Sequence, residues 1–562
     1  MIMRACFRWR ALLLGTGGSV LFLAGVFLAG VATAQPARGP AAKPQPGINV
    51  LDYDFALTLS DTTDRIEGTA TVRLRVTTDT LTAARLDLIG RDQGRTSSAS
   101  PVPGMRVRSV SEDGQAVPYR HVNDILRIAS PSGFKAGNVH TYRIRYAGIP
   151  ADGLIIGTNQ YGDRTFFGDN WPNRARHWLP VEDHPADKAT VEFRVTAPAT
   201  YDVVSNGALV SDSTSGDLRY THWRTDVPLP TKVMVIGVSD FAVDTSGTVD
   251  GVPVQSWVYP ETRSVGFKDL GQAPPILRFF EKNLGPYPYE KLANVQSTTR
   301  YGGMENAAAI FYSEQAVADG EDDTSLLAHE IAHQWYGNTV TEADWPHLWL
   351  SEGFATYLTG LYLEHARGDA ALTRYMTNAR QQVVRFHEKN PDVPLVDTTF
   401  SDPTALLNTN PYQKGAWVLH MLRRDVGTNT FWEGLRAYYE RYRNQNASTR
   451  DFRAVMEDVS GQNLKRFFEQ WTRRPGHPVI EGTWRYDEAS GECVLTLRQT
   501  QAEPPFHVPV EIAFGDKPRH TTTLFLRDQE EQTRVECAQA PSSVTLDPNT
   551  GLLAELSMHR AE

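Results

Sequence analysis

The pentad His329-Glu330-Ile331-Ala332-His333 constrains this chain more than any other five residues. Two histidines four positions apart share one face only on an α-helix, so the segment must be helical if both imidazoles are to reach one ion. The preceding Asp322-Asp323-Thr324-Ser325 supplies N-cap residues. Leu326, Leu327, Ile331 and Ala332 supply helix formers and apolar contacts. Glu330 stands beside the first histidine and can contact water at such an ion, which is the zincin arrangement. With 15 His and 66 Asp plus Glu in 562 residues, chance supplies about 0.05 such pentads or fewer.

Zinc needs a third protein ligand and an open fourth position. Ser351-Glu352-Gly353-Phe354-Ala355 offers one, with 18 residues between His333 and Glu352. A loop and the start of a returning helix fit that gap. The alternative for Glu352 is a solvent-exposed helix acid, but it lies between the apolar runs LWL and GFATYL. Upstream stands Gly302-Gly303-Met304-Glu305-Asn306. Adjacent glycines let backbone approach a ligand closely. Glu305, next to the run AAAIF, is a candidate partly buried carboxylate. Taken alone, a Gly-Gly turn with an exposed Glu is the commoner case.

Around this centre the periodicity changes twice. Residues 1–34 read as an export signal. Arg4, Arg8 and Arg10 precede an apolar stretch from Ala11 to about Val31, and Ala32-Thr33-Ala34 offers a small-x-small cleavage site. An uncleaved membrane anchor is the alternative. The expected location is exported, periplasmic or secreted, with no stable membrane span if the signal is cleaved. Residues 35–47 read as a flexible leader. Strand alternation dominates 48–245, as in TVRLRV, TYRIRY and VEFRV, with a turn at Asp113-Gly114. Helical spacing dominates 246–476, with a helix from Pro274 to Leu284 and others near 323–337, 349–367, 370–389, 411–425, 428–443 and 449–472. Strand signals return over 477–562, a length that suits a small β-sandwich. Cys493 and Cys537 lie there and are read either as a disulfide or as two buried thiols. Net charge is −10, which argues against nucleic acid as a partner.

Together these residues resemble the gluzincin aminopeptidases, relatives of aminopeptidase N and of the bifunctional leukotriene hydrolase. The resemblance rests on GGMEN, on HEIAHQW with WLSEGFATY, and on Pro411-Tyr412-Gln413-Lys414-Gly415. RHWLPVEDHPADKA at 176–189, VVSNGAL at 203–209 and LGPYPYEKL at 284–292 are weaker echoes. It implies a multidomain α+β fold: an N-terminal all-β domain, a thermolysin-like, mostly α catalytic domain, and a small C-terminal β-sandwich. It implies one zinc ion per chain on His329, His333 and Glu352, with Glu330 as general base. Glu305 would bind a substrate's free α-ammonium group, and Gly302, Gly303 and Met304 would line the cleft. Tyr412 would stabilise the oxyanion. Independently, Asn410-Pro411 reads as a helix start that places Tyr412 in a first helical turn, although an ordinary packed tyrosine is the simpler local reading.

The activity implied is removal of N-terminal residues from peptides. The alternatives are a zinc endopeptidase of the same fold, an epoxide hydrolase like the leukotriene enzyme, or a non-catalytic binding or scaffold protein. GGMEN argues against a pure endopeptidase. Retention of the three ligands, Glu330, Glu305 and Tyr412 argues against a scaffold. Two departures stand out. Family members usually carry Gln or Glu upstream of the R-x-x-x-P segment, where this chain has Trp171, with Asp169 or Asn170 as substitutes. Larger relatives also carry a helical C-terminal superstructure, whereas the last residues here are β-like, which implies a more open site.

Overall fold

A computed structural model describes residues 44–91, 102–515 and 520–561. The expected export signal at 1–34 and most of the leader at 35–47 lie outside the described residues. Alternation in the first third produces strands as expected. In Ile66–Val76, Val72, Leu74 and Val76 are buried while Arg73 and Arg75 are exposed. Val139–Ile149 repeats the pattern, with Tyr142, Ile144 and Tyr146 inward. Side chains alternate faces at period two, so each strand buries one face and solvates the other.

These strands form an eight-stranded sheet. Its centre is the parallel pair Ile48–Thr58 and Lys188–Pro198, flanked by antiparallel neighbours. A four-stranded sheet made of Asp202–Ser205, Ile236–Ser239, Arg164–Gly168 and Leu154–Thr158, and a three-stranded sheet starting at Ala84–Asp87, complete this region. Asp113 (φ 49°) and Gly114 (φ 76°) turn the chain between Gly104–Glu112 and Gln115–Ala116. Left-handed values at both central positions are those of a hairpin turn matched to strand twist.

The middle of the chain is helical, but a five-stranded sheet is built into it. Its order is Ala242–Val249, Val252–Val258, Leu292–Ser297, Ala309–Ser313 and Gly303–Met304. The sequence signal for this sheet is weak because Leu292–Ser297 and Ala309–Ser313 are buried throughout and show no alternation. The helix expected at 323–337 ends earlier, as Thr324–Ala332, with His333 as its C-cap. The helix expected over 449–472 is broken. Thr449–Ser460 stops at Gly461, whose φ of 68° and N–H bond to Glu457 O make a left-handed cap. A short helix at Lys465–Phe468 and a π turn at Glu469–Arg473 follow.

The last region holds two sheets. Glu530–Glu536, Glu492–Gln499, Val479–Asp487 and Glu555–Arg560 form one; His520–Leu526, Val508–Phe514 and Val544–Leu546 form the other. This region grips the helices with specific bonds. Gln470 Nε2 donates to His507 O (3.1 Å), and His507 N donates to Gln470 Oε1 (2.9 Å). Arg380 pairs with Asp547 at 3.1 Å, and Lys414 Nζ donates to Gly476 O at 3.0 Å. No helix among the described residues is long and apolar enough to cross a membrane.

Cys493 and Cys537 form a disulfide, which resolves the two readings of the pair. It closes a loop of 44 residues, for which loop-closure entropy gives about 2–4 kcal/mol of stabilisation. Cys493→Ser should therefore lower the unfolding midpoint of the C-terminal region. Tryptophan fluorescence during urea unfolding should show an earlier transition for the variant, and reductant should move the parent protein to the same position.

Candidate active site

The histidine helix, Thr324–Ala332, and the glutamate helix, Trp349–Arg367, pack side by side. They bring three donors into a near-equilateral triangle. His329 Nε2 and His333 Nε2 are 3.1 Å apart, and each lies 3.4 and 3.3 Å, respectively, from Glu352 Oε2. A tetrahedral zinc ion with bonds of about 2.0–2.1 Å requires donors about 3.3 Å apart. The triangle therefore fits one such ion. Donor chemistry agrees, since two imidazoles and one carboxylate suit zinc.

The tautomer of His333 follows from its other nitrogen. Nδ1 lies 3.2 Å from Tyr336 O and 3.1 Å from Ser351 Oγ. A carbonyl can only accept, so Nδ1 carries a proton, which leaves Nε2 as the nitrogen that would bind an ion in the triangle. Ser351 precedes Glu352, so a single helix turn both donates a ligand and braces another.

Glu330 is buried on the same helix. A Cβ at Gly303 would run into the Glu330 carboxylate, so only glycine leaves room for that side chain. Gly303 belongs to the edge strand Gly303–Met304, paired on one side with Ala309–Ser313. Gly302 is exposed, while the Met304 side chain is buried in the core. As the next residue of the strand, Met304 turns its side chain away from the face that Gly303 presents to Glu330.

Glu305 is only 5% exposed, and its Oε1 has no hydrogen-bond partner among the described residues. Its backbone is held firmly: Gln334 Nε2 and Asn338 Nδ2 both donate to Glu305 O, at 3.0 and 2.6 Å. Gln334 Oε1 also accepts from Ala308 N at 3.0 Å. From the β region, Asn206 Nδ2 donates to Ala307 O at 2.7 Å, and Lys291 Nζ donates to the carbonyls of Ser205 and Gly207. These positioning residues had no assigned role in the sequence. Gln334, Asn206 and Lys291 lie in HEIAHQW, VVSNGAL and LGPYPYEKL and are buried, whereas Asn338 lies in none of these motifs.

Tyr412 lies in a π turn, Asn410–Lys414, that leads into the helix Gly415–Val426. The helix start expected at Asn410-Pro411 is found, with Tyr412 in its first turn, and that turn is a π turn. Its ring stacks on His329 with centroids 6.1 Å apart and planes at 11°. The approach depends on two glycines. A Cβ on Gly353 would meet Gly415 and Pro411 backbone, and one on Gly415 would meet Gly353. A glycine-to-glycine crossing therefore brings the Tyr412 segment against the glutamate helix.

The field in the site is strongly negative. Burial lowers the proton affinity of His333, but Glu352, Glu305 and Glu330 outweigh it and push its pKa up to about 9. Burial pulls His329 down. Burial, with Glu305 and Glu352, pushes the Glu330 carboxyl well up against the opposing influence of His333. Burial and the same carboxylates push the Tyr412 phenol well up, so it stays protonated and able to donate.

Asp169 and Asn170, the expected substitutes for a second ammonium-binding residue, have other partners. Asp169 pairs with Arg174 at 2.5 Å and accepts from Arg300 N. Asn170 accepts from Trp178 Nε1 and donates to Thr231 O and Met234 O. Both are fully buried scaffold residues.

Two family models match the chain: the Peptidase M1 N-terminal domain over residues 50–233 and the Peptidase family M1 domain over residues 269–471. Glutamyl aminopeptidase of Homo sapiens is 28% identical over 389 residues, which is 65% of this chain and 40% of that protein. Aminopeptidase M1-B of Oryza sativa subsp. japonica is 30% identical over 320 residues, 54% of this chain and 36% of that protein. The chain thus spans about two fifths of the length of these curated relatives. Among solved structures, a mutant M1 zinc metallopeptidase from Deinococcus radiodurans bound to a Tyr-Ser-Ala substrate superposes with a TM-score of 0.65 at 25% identity. That match covers 76% of this chain and 95% of the other.

The triangle yields a prediction that needs no substrate. His333→Ala or Glu352→Ala should reduce zinc in the purified protein from about one equivalent to a small fraction, measured by elemental analysis. Ser351→Ala should retain the ligands but weaken zinc about 10- to 100-fold in competition with a chelator.

Proposed function

The chain belongs to the M1 peptidase family, and on that premise we propose that it is a zinc-dependent aminopeptidase acting on peptides with a free N-terminus. The observation that carries this reading is Glu305: a buried carboxylate with an unpartnered oxygen, electrostatically coupled to both histidines of the triangle. The relatives' names and the tripeptide-bound structure support it.

His329, His333 and Glu352 would hold the ion. When bound, zinc supplies Lewis acidity and lowers the pKa of water toward about 7. Glu330 then has the proton-transfer role. Its carboxylate accepts the proton of the attacking water and returns it to the leaving amine. The Tyr412 hydroxyl donates to the oxygen on which negative charge develops; losing such a donor costs about 3–4 kcal/mol. Glu305 neutralises the substrate's α-ammonium group, which a water-poor cleft would otherwise reject. Among the described residues no strand pairs with the outer side of Gly303–Met304, and extended substrate backbone would pair there. An acetylated N-terminus would leave Glu305 buried and without its counter-charge, which restricts hydrolysis to the first peptide bond.

Export is part of the proposal. It rests on the basic, apolar and small-residue order of positions 4–34 and agrees with the Cys493–Cys537 disulfide, which an oxidising compartment favours.

Short peptides with free and acetylated N-termini, with and without a chelator, test the reading. Sequential loss of N-terminal residues, abolished by chelation and by acetylation, is expected; cleavage of acetylated peptides at internal bonds would make the protein an endopeptidase. Glu330→Ala should retain zinc but lose nearly all turnover. Tyr412→Phe should lower kcat about 10²- to 10³-fold. Glu305→Ala should raise KM for free peptides and erode the preference against acetylated ones.

A further inference from the structure

A second group of acidic residues converges at the other end of the histidine helix. Asp269, Asp319 and Asp323 each place one carboxylate oxygen within 4.8 Å of the others. Asp269 sits in the last turn of Arg263–Leu270 and is 1% exposed. The negative end of a helix dipole is an unfavourable place for a buried acid. Asp319 is exposed on the loop between Ala309–Ser313 and the histidine helix. Asp323 is the N-cap of that helix, yet its side chain makes no capping bond. Thr324 N instead bonds to Asp322 Oδ1, at 3.2 Å.

Asp323 is the anomaly that points to a ligand. It is 6% exposed, and its buried Oδ2 has no hydrogen-bond partner among the described residues. A capping aspartate ordinarily turns to the helix N–H groups; this one faces two other carboxylates. Burial, then Asp269 and Asp319, drive its pKa up to about 7. The nearby cation Arg367 is paired with Asp322, at 2.7 Å. Loop geometry holds the group together. Gly320, with φ of 89°, donates its N–H to Asp269 Oδ2 at 2.9 Å, and Thr324 Oγ1 donates to Gln272 Oε1 at 2.8 Å.

We propose that Asp269, Asp319 and Asp323 form a calcium site that ties the loop and the Arg263–Leu270 helix to the N-terminus of the histidine helix. All donors are carboxylate oxygens, the chemistry of a hard cation rather than of zinc. Calcium takes about six to eight oxygen ligands in a flexible geometry, whereas magnesium demands a near-ideal octahedron and keeps several of its own waters, so three carboxylates drawn from a helix end, a loop and an N-cap suit calcium. Three carboxylates leave the remaining positions to water and backbone oxygen. The ion would neutralise acidic groups that no cationic side chain pairs with among the described residues, and so stabilise the helix that carries His329 and His333. The site is separate from the zinc triangle in ligands and in metal preference.

The test uses the zinc-loaded full chain in calcium-free buffer. Titration calorimetry with calcium chloride should show one site with a dissociation constant of about 10⁻⁴–10⁻³ M, the range of weak extracellular calcium modules. At 10 mM calcium and constant ionic strength, the unfolding midpoint should rise by about 2–4 °C. Asp319→Asn, a change at an exposed position that folding should tolerate, should weaken binding at least tenfold; Asp323→Asn should abolish it. Glu352→Gln should leave calcium binding unchanged. No saturable binding, or full binding by Asp319→Asn, would overturn the site. Loss of binding in Glu352→Gln would move the calcium to the zinc triangle and overturn it equally. Equal stabilisation by magnesium would overturn the choice of calcium.

Discussion

Three donor atoms held 3.1–3.4 Å apart, two from one helix and one from the next, set the tolerance that the surrounding structure must meet. Each is polar and each sits in a largely dehydrated place, so an ångström of slack would cost both ion geometry and charge compensation. The packing answers with small residues and backbone acceptors. Gly353 and Gly415 allow the crossing that delivers Tyr412, and Gly303 allows an edge strand to lie against Glu330. Tyr336 O and Ser351 hold His333 in its ligating orientation.

That precision has an electrostatic cost. Glu305, Glu330 and Glu352 crowd the same pocket: burial and repulsion from the other two carboxylates push Glu330 up, and attraction to the three carboxylates pushes His333 up. Lys232 does not relieve it by direct pairing, because its ammonium bonds to Glu342 at 2.7 Å. A pocket of this kind favours positive charge, whether an ion or a substrate ammonium. Strain of this sort belongs to a binding site and must be balanced elsewhere in the fold. The balance is visible in the hydrogen bonds that clamp the loop 305–308: from Gln334 and Asn338 on one side, and from Asn206 on the other.

The β regions therefore position the chemistry as well as bounding it. Asn206 lies beside the four-stranded sheet yet fixes Ala307 O, two residues from Glu305, and the carbonyls of Ser205 and Gly207 on either side of it are gripped by Lys291. On the opposite side, Lys414, two residues from Tyr412, is buried and bonded to Gly476 O at the entrance to the C-terminal sheets. The acidic group at Asp269, Asp319 and Asp323 adds a third anchor, at the start of the histidine helix. The helices carrying the triangle are thus restrained from several directions, which suits a site that must keep its shape before substrate arrives.

Much of this was legible in the chain. His329 and His333 are readable because helical period puts them on one face, Glu352 because the gap after His333 fits a loop and a returning helix, and strands such as Ile66–Val76 because alternation is a local property. Other features were not. Two inner strands of the five-stranded sheet, Leu292–Ser297 and Ala309–Ser313, are buried at every position and so carry no alternation to read. The helix at 449–472 breaks at Gly461, where a left-handed cap was compatible with the sequence but not required by it. Asp323 looks like an N-cap in sequence and fails to cap in space. Asp169 and Asn170 look available and are already bonded. The sequence by itself determined which two histidines and which glutamate could share an ion, and the order of β and helical regions, because those depend on spacing along the chain. Only the tertiary structure decided which polar groups are free and which are paired, because a hydrogen-bond partner can lie a hundred residues away and leaves no periodic trace.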